Sequence, residues 1–258
     1  LHRHPIATGL DAPGNAAEWQ RWRRIRRFCR RRLDGGLATA STVGYLLRMG
    51  SLMKRQFFAA LALVAATGLV APAVAIEMTP AQSALYESVS IYPPTGNFMT
   101  VCYGFVCRRR MEFEFTAADK KALEAIMAKG KASAVAERAA IQAAVVWWDR
   151  RMAPLLGTSM RVPRADFRHR ADATNYDCWD TTRNITGLML LMQSWGYIRH
   201  HTVSDPRYRG NVLVLQTPHN TPVIKEKAGG GEWVVDMWTV GYAQPPQVMT
   251  VAQWMTED

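Results

Sequence analysis

Between Asp177 and Gly196 the chain changes its period. Ile185, Leu188, Met189 and Met192 recur at i, i+3, i+4 and i+7, which predicts one buried-faced helix over about 178–195 with Gly196 as its stop. Almost everything after it reads as strand. Residues 197–203 come first, and 211–216 form a continuous apolar run expected to be buried on both faces. Strands at 221–226 and 232–238 flank Gly229-Gly230-Gly231, a hairpin signal, and 248–255 supplies a short last element. Pro222 cannot donate to a ladder, so it is expected to begin its strand or lie on an edge.

Helices are expected upstream. Thr116 and Asp119 make a capping-box start for a helix near 117–129, and Gly130 ends it. A second helix near 133–153 carries Ile141, Val145, Trp148 and Met152 on one stripe, with Pro154 and Gly157 closing it. Residues 76–98 are dotted with Pro and Gly and read as an extended lead-in, and 158–176 as a surface loop. Helices first and antiparallel strands after make the expected class α+β, with a helix packed on an antiparallel sheet.

The formal charge of +11 is uneven. Residues 1–75 hold 12 Lys/Arg against 3 Asp/Glu, and residues 76–258 hold 20 against 18. A nucleic-acid role would rest on the basic run at 21–32 alone, so no nucleic-acid partner is expected. Residues 53–75 have a signal-peptide pattern: basic Lys54-Arg55, a short apolar stretch, and Ala73-Val74-Ala75 as a small-x-small cleavage site. Translation from Met53 or Met49 would make residues 1–52 upstream sequence; the competing reading is a basic arm followed by a membrane anchor. The expected organisation is a 1–52 extension, a 53–75 signal peptide, a 76–115 lead-in with a β-hairpin, and a 116–258 domain. Periplasmic or secreted localisation follows, with no stable anchor once the signal is removed.

Export bears on the cysteines. Cys102 and Cys107 flank Tyr103-Gly104-Phe105-Val106, a tight-hairpin pattern, and an oxidising compartment favours their pairing across the turn. Closing that loop is worth about 2 kcal/mol. Cys178 is left over, and an odd cysteine in an exported protein points to a reactive thiol or an intermolecular bond.

Cys178 falls in the first turn of its helix, where free N–H groups and the dipole favour a thiolate and could hold an oxyanion. Asn175 and Tyr176 are both candidates for a further oxyanion donor, and nothing in the sequence selects between them. His219 sits at a strand mouth facing that helix, ahead of His169 among arginines and of His200 and His201, which look solvated. Asp236 is the only charge inside the apolar part of its strand and needs a partner. Folding the hairpin sets it opposite roughly residue 222, a three-residue offset from His219; Asp205 is the alternative carboxylate. A thiol nucleophile, an imidazole that activates it and a carboxylate that orients the imidazole would then meet. No metal-ligand spacing and no phosphate-cradling loop is present, so no cofactor is expected.

These residues carry a resemblance. Asp177-Cys178-Trp179-Asp180 at a helix start, His219 opening a strand, and Trp233-Val234-Val235-Asp236 on the next resemble the bacterial transglutaminase-like cysteine proteinases over about 115–240. The resemblance implies a papain/transglutaminase-like fold, Cys178 as nucleophile, His219 as general base and acid, and Asp236 as its partner. It also implies a substrate cleft near Asn175, Tyr176, Trp179 and Asp180 and a peptide or protein substrate in the cell envelope. Two positions depart from the pattern: Tyr176 replaces a small residue, and Trp179 replaces an acid and is expected to narrow the cleft. A catalytically inactive module binding a cell-envelope peptide is the alternative these departures suggest.

Overall fold

The computed structural model describes residues 76–211, 213 and 216–257. The basic run at 21–32 and the segment 53–75 lie outside them. The described chain is α+β. In order it forms α1 (Pro80–Glu87), β1 (Phe98–Tyr103), β2 (Arg109–Glu114), α2 (Ala117–Met127), α3 (Ala134–Leu156) and α4 (Cys178–Ser194). The remaining elements are β3 (His201–Arg209), β4 (His219–Glu226), β5 (Glu232–Asp236), β6 (Gln247–Thr250) and α5 (Val251–Trp254). β1 and β2 are an antiparallel hairpin, and β3-β4-β5-β6 is an antiparallel meander.

α4 is the centre of the described residues. Every residue from Asp180 to Met192 is buried, because the four-stranded sheet covers one side while β1 and α1 cover the other. Full enclosure of Ile185, Leu188, Met189, Leu190, Leu191 and Met192, each worth about 1.5–3 kcal/mol relative to exposure, fixes the helix in place. Gly187 is where α1 and β1 come closest. A Cβ there would lie 3.3 Å from the Tyr86 hydroxyl and 3.4 Å from Met99 Cε. Asn184 adds a polar lock, since its side-chain amide accepts from Cys102 N and donates to Cys102 O, both at 2.8 Å.

Several local expectations need correction. The lead-in contains α1, begun by a capping box in which Thr79 accepts from Gln82 N and Gln82 accepts from Thr79 N, with Pro80 at the first helical position. α3 continues through Pro154 and ends at Gly157, whose φ of 75° supplies the left-handed cap. Asn211, Leu213 and Gln216 belong to the β3–β4 connection instead of a buried strand. Leu213 is 87% exposed, and Asn211 organises a turn by accepting from Leu213 N and Gln216 N. Pro222 lies inside β4, a central strand; it stands opposite the irregularity between Ser204 and Arg207, where the ladder lapses and no N–H is required.

Candidate active site

The helix that presents Cys178 begins at Asp177, an extended N-cap residue whose Oδ1 accepts from Asp180 N at 2.7 Å. Cys178 is thus the first helical residue, half-buried and outside any disulfide. The carboxylates of Asp177 and Asp180 are held by the β1–β2 turn. Asp180 Oδ2 accepts from Phe105 N (2.9 Å) and its Oδ1 from Cys107 N (2.7 Å), while Asp177 Oδ2 accepts from Val106 N (2.7 Å).

Those three N–H groups converge because Gly104, Phe105, Val106 and Cys107 are all left-handed, with φ of 74°, 67°, 51° and 54°. Left-handed backbone costs roughly 1–2 kcal/mol per non-glycine residue and is least tolerated by a β-branched side chain such as Val106. The Cys102–Cys107 disulfide closes the turn, with Cα atoms 4.5 Å apart and both residues fully buried. Behind the carboxylates lies Arg183, buried, donating to Leu85 O at 2.6 Å and passing 5.4 Å over the Trp179 ring. Burial and then the neighbouring Asp177 raise the Asp180 carboxyl pKa, against the pull of the Cys107 N–H and Arg183. Asp180 is therefore an internal anchor and does not face a substrate cleft.

On the sheet side His219 opens β4 and Asp236 ends β5. β4 and β5 pair Val223 with Val234, and carrying that register two residues further sets Asp236 against Thr221, not 222. The difference of one matters because parity decides the face. Thr221 and His219 share a face, so the imidazole is the diagonal neighbour of the carboxylate, within reach of an aromatic side chain. His219 Nε2 and Asp236 Oδ2 are 2.5 Å apart. Asp236, almost fully buried, also accepts from Trp254 Nε1 at Oδ2 and from Trp238 N at Oδ1, each at 3.1 Å. Trp238 and Trp254 flank the imidazole with centroids at 4.4 and 5.4 Å. The other ring nitrogen, Nδ1, is buried with no hydrogen-bond partner.

Asn220 joins the two halves. With its amide nitrogen turned toward α4, it donates to Cys178 O (2.8 Å) and Thr182 Oγ1 (2.6 Å), and its oxygen accepts from Trp179 Nε1 (3.2 Å). Its own backbone N–H acts on the Cys178 sulfur and lowers the thiol pKa, but burial outweighs it. With Asp177 and Asp236 adding negative charge, the thiol is pushed up to about 12. The expected thiolate at the helix start is thus corrected. The backbone N–H of Cys178 at the helix start does pull the thiol pKa down, but burial outweighs that pull, which favours the neutral thiol.

The expected oxyanion donors are also placed elsewhere. Asn175 is fully buried, accepting from Val162 N at 2.7 Å and donating to Asp172 at 2.9 Å; Tyr176 is buried with its hydroxyl 3.2 Å from that of Thr158. Trp179, 39% exposed, does stand beside Cys178 at the surface. Among the described residues the other histidines have partners elsewhere. His201 is fully buried, not solvated, with Nδ1 3.0 Å from Glu137; His200 contacts Lys131 O, and His169 pairs with Asp166. Asp205 bonds Thr79. A cleft of about 570 Å³ reaches His219 from the imidazole side, walled by Trp238, Thr239, Arg164, Arg209 and Met255; Cys178 is not among its walls. Among the described residues no group of three or more His, Cys, Asp or Glu is placed to hold a metal ion.

Asn220, Trp238 and Trp254 are the site residues that the sequence reading did not assign. Asn220 was adjacent to a candidate, but its reach back to α4 depends on packing that no local pattern encodes. Compared with protein-family models, curated proteins and solved structures, the chain has no match in any of the three.

Proposed function

We propose that this chain is an exported thiol enzyme of transglutaminase-like type that cleaves or transfers a peptide or amide acyl group through Cys178, His219 and Asp236. The observation that carries the reading is the His219–Asp236 pair at 2.5 Å with Nδ1 left unpaired, beside the strand residue that binds the first turn of the Cys178 helix. Asp236 fixes the proton on Nε2, so Nδ1 is the basic nitrogen. Because the thiol is neutral, its proton moves to Nδ1 as Sγ attacks the carbonyl carbon, in general-base fashion. His219 then gives that proton to the departing amine, leaving a thioester on Cys178. Water or a second amine attacks the thioester, His219 takes the proton of the attacking group, and the sulfur regains its own. Trp238 and Trp254 shield the His219–Asp236 bond from water, which strengthens it.

A second reading, an inactive transglutaminase-like module that binds a cell-envelope peptide, draws on the raised thiol and the indole of Trp179 beside it. p-Nitrophenyl acetate separates the two. The enzyme reading expects a burst of nitrophenolate and a protein mass raised by one acetyl group on Cys178, both lost in Cys178→Ala. Folded protein that is never acylated at Cys178 would leave only the module.

A further inference from the structure

The unusual backbone of this molecule lies next to its candidate nucleophile. Four consecutive left-handed residues, three of them not glycine, form a concave row of N–H groups filled by the two carboxylates that flank Cys178. Such a row is an anion receptor. We infer that the disulfide-closed turn Gly104–Cys107 is a positioning device for the Cys178 helix start: its N–H groups fix the Asp177 and Asp180 carboxylates, and the Cys102–Cys107 bridge maintains the shape that lets them do so.

The inference rests on the proposed reactivity of Cys178. Without the bridge the left-handed backbone of Phe105, Val106 and Cys107 is held by the burial of Phe105 and by the three bonds to carboxylates, with no packing from the exposed Val106. Relaxing them removes one donor from Asp177 and two from Asp180. Asp177 already bears on the sulfur as a negative charge, and its capping bond to Asp180 N sets the first turn of α4. The charged groups that act on the sulfur are Asp177 at the helix cap, Arg183 from α4 and Asp236 from β5, with His219 bonded to Asp236. Of these only Asp177 touches the turn, so the turn acts on the sulfur through the helix cap. Both bridge cysteines are buried, which suits a permanent brace better than a surface redox sensor.

The test compares wild type with Cys102→Ala/Cys107→Ala. Acylation of Cys178 by p-nitrophenyl acetate is followed as a function of pH, and amide hydrogen exchange is followed at residues 105–107 and 188–192. The expected result is selective loss of exchange protection at 105–107. Acylation should be about tenfold slower throughout the working pH range, as for a thiol made harder to ionise by about one unit. A merely unfolded fraction would lower protection at 188–192 as well, whereas loss of the brace alone leaves those amides protected. Protection retained at 105–107 without the bridge, or an unchanged acylation rate after it is lost, overturns the inference. If the double variant does not fold, Asp180→Asn, which keeps the bridge and removes the charge that two of the N–H groups hold, is expected to expose the same amides. Unchanged protection there counts against the turn as a carboxylate receptor. Wild-type protein that is never acylated refutes the reactivity instead, and the exchange arm still reports whether the bridge holds the turn.

Discussion

Replacing Asp236 with Asn changes one atom of a group that accepts three hydrogen bonds. The carboxylate accepts from His219 Nε2, Trp254 Nε1 and Trp238 N while almost fully buried. An amide can place its oxygen on only one side. If the oxygen takes the Oδ1 place, its NH₂ confronts the indole N–H and forces His219 to accept at Nε2. If it takes the Oδ2 place, the NH₂ confronts Trp238 N–H. Either way a buried donor loses its acceptor, worth about 1–3 kcal/mol, to be read as a lower denaturation midpoint in urea. The first orientation orphans one donor, as the second does, but it also puts the imidazole proton on Nδ1, the nitrogen required as the base. By analogy with general-base triads, acylation of Cys178 should then fall by on the order of 10³–10⁴. ¹⁵N shifts of the imidazole report which orientation forms: the proton remains on Nε2 in the second and moves to Nδ1 in the first. Acylation within threefold of wild type, with the proton moved to Nδ1, would refute the reasoning.

Two further predictions concern the frame around the site. Trp254→Phe keeps an aromatic ring over His219 but removes the indole bond to Asp236, and should cost about 1 kcal/mol in urea denaturation without abolishing acylation. Burial alone would raise the Glu137 pKa, but bonds from the His201 ring and the N–H groups of residues 199–201 outweigh it and hold the carboxyl below its ordinary value. A depressed carboxylate adds stability above its unfolded pKa of about 4.5 that fades as pH falls through the folded value. Glu137→Gln should therefore lower stability at pH 7 and flatten its decline below about pH 5, measured as the urea midpoint against pH; an unchanged slope would contradict the assignment.

The parts legible in the sequence were those governed by local periodicity. The 3.6-residue repeat and Gly196 located α4 to within a residue, and the cysteine spacing located the bridge. At Asn211, Leu213 and Gln216 the apolar run carried no signature separating a buried strand from a connection, whereas Asn211, an Asx-turn former, was the signal for a turn. The register error at Asp236 came from counting across Gly229–Gly231 without knowing the turn's hydrogen bonds; Glu226 N to Gly231 O and Gly230 N to Glu226 O fix it. The thiol was misjudged for a different reason. A helix start favours a thiolate only where its pull exceeds the cost of burial, and here burial, joined by the charges of Asp177 and Asp236, outweighs it. That depends on long-range packing. Trp254, folded back from the end of the chain onto Asp236, was equally beyond local patterns.

The most direct test of the account is the rate at which Cys178 is acylated by p-nitrophenyl acetate at neutral pH in wild type and in His219→Ala. A neutral, buried thiol that depends on Nδ1 to take its proton should lose at least about 10² in rate. Equal rates in the two proteins would contradict it, because the sulfur would then be reacting without the imidazole.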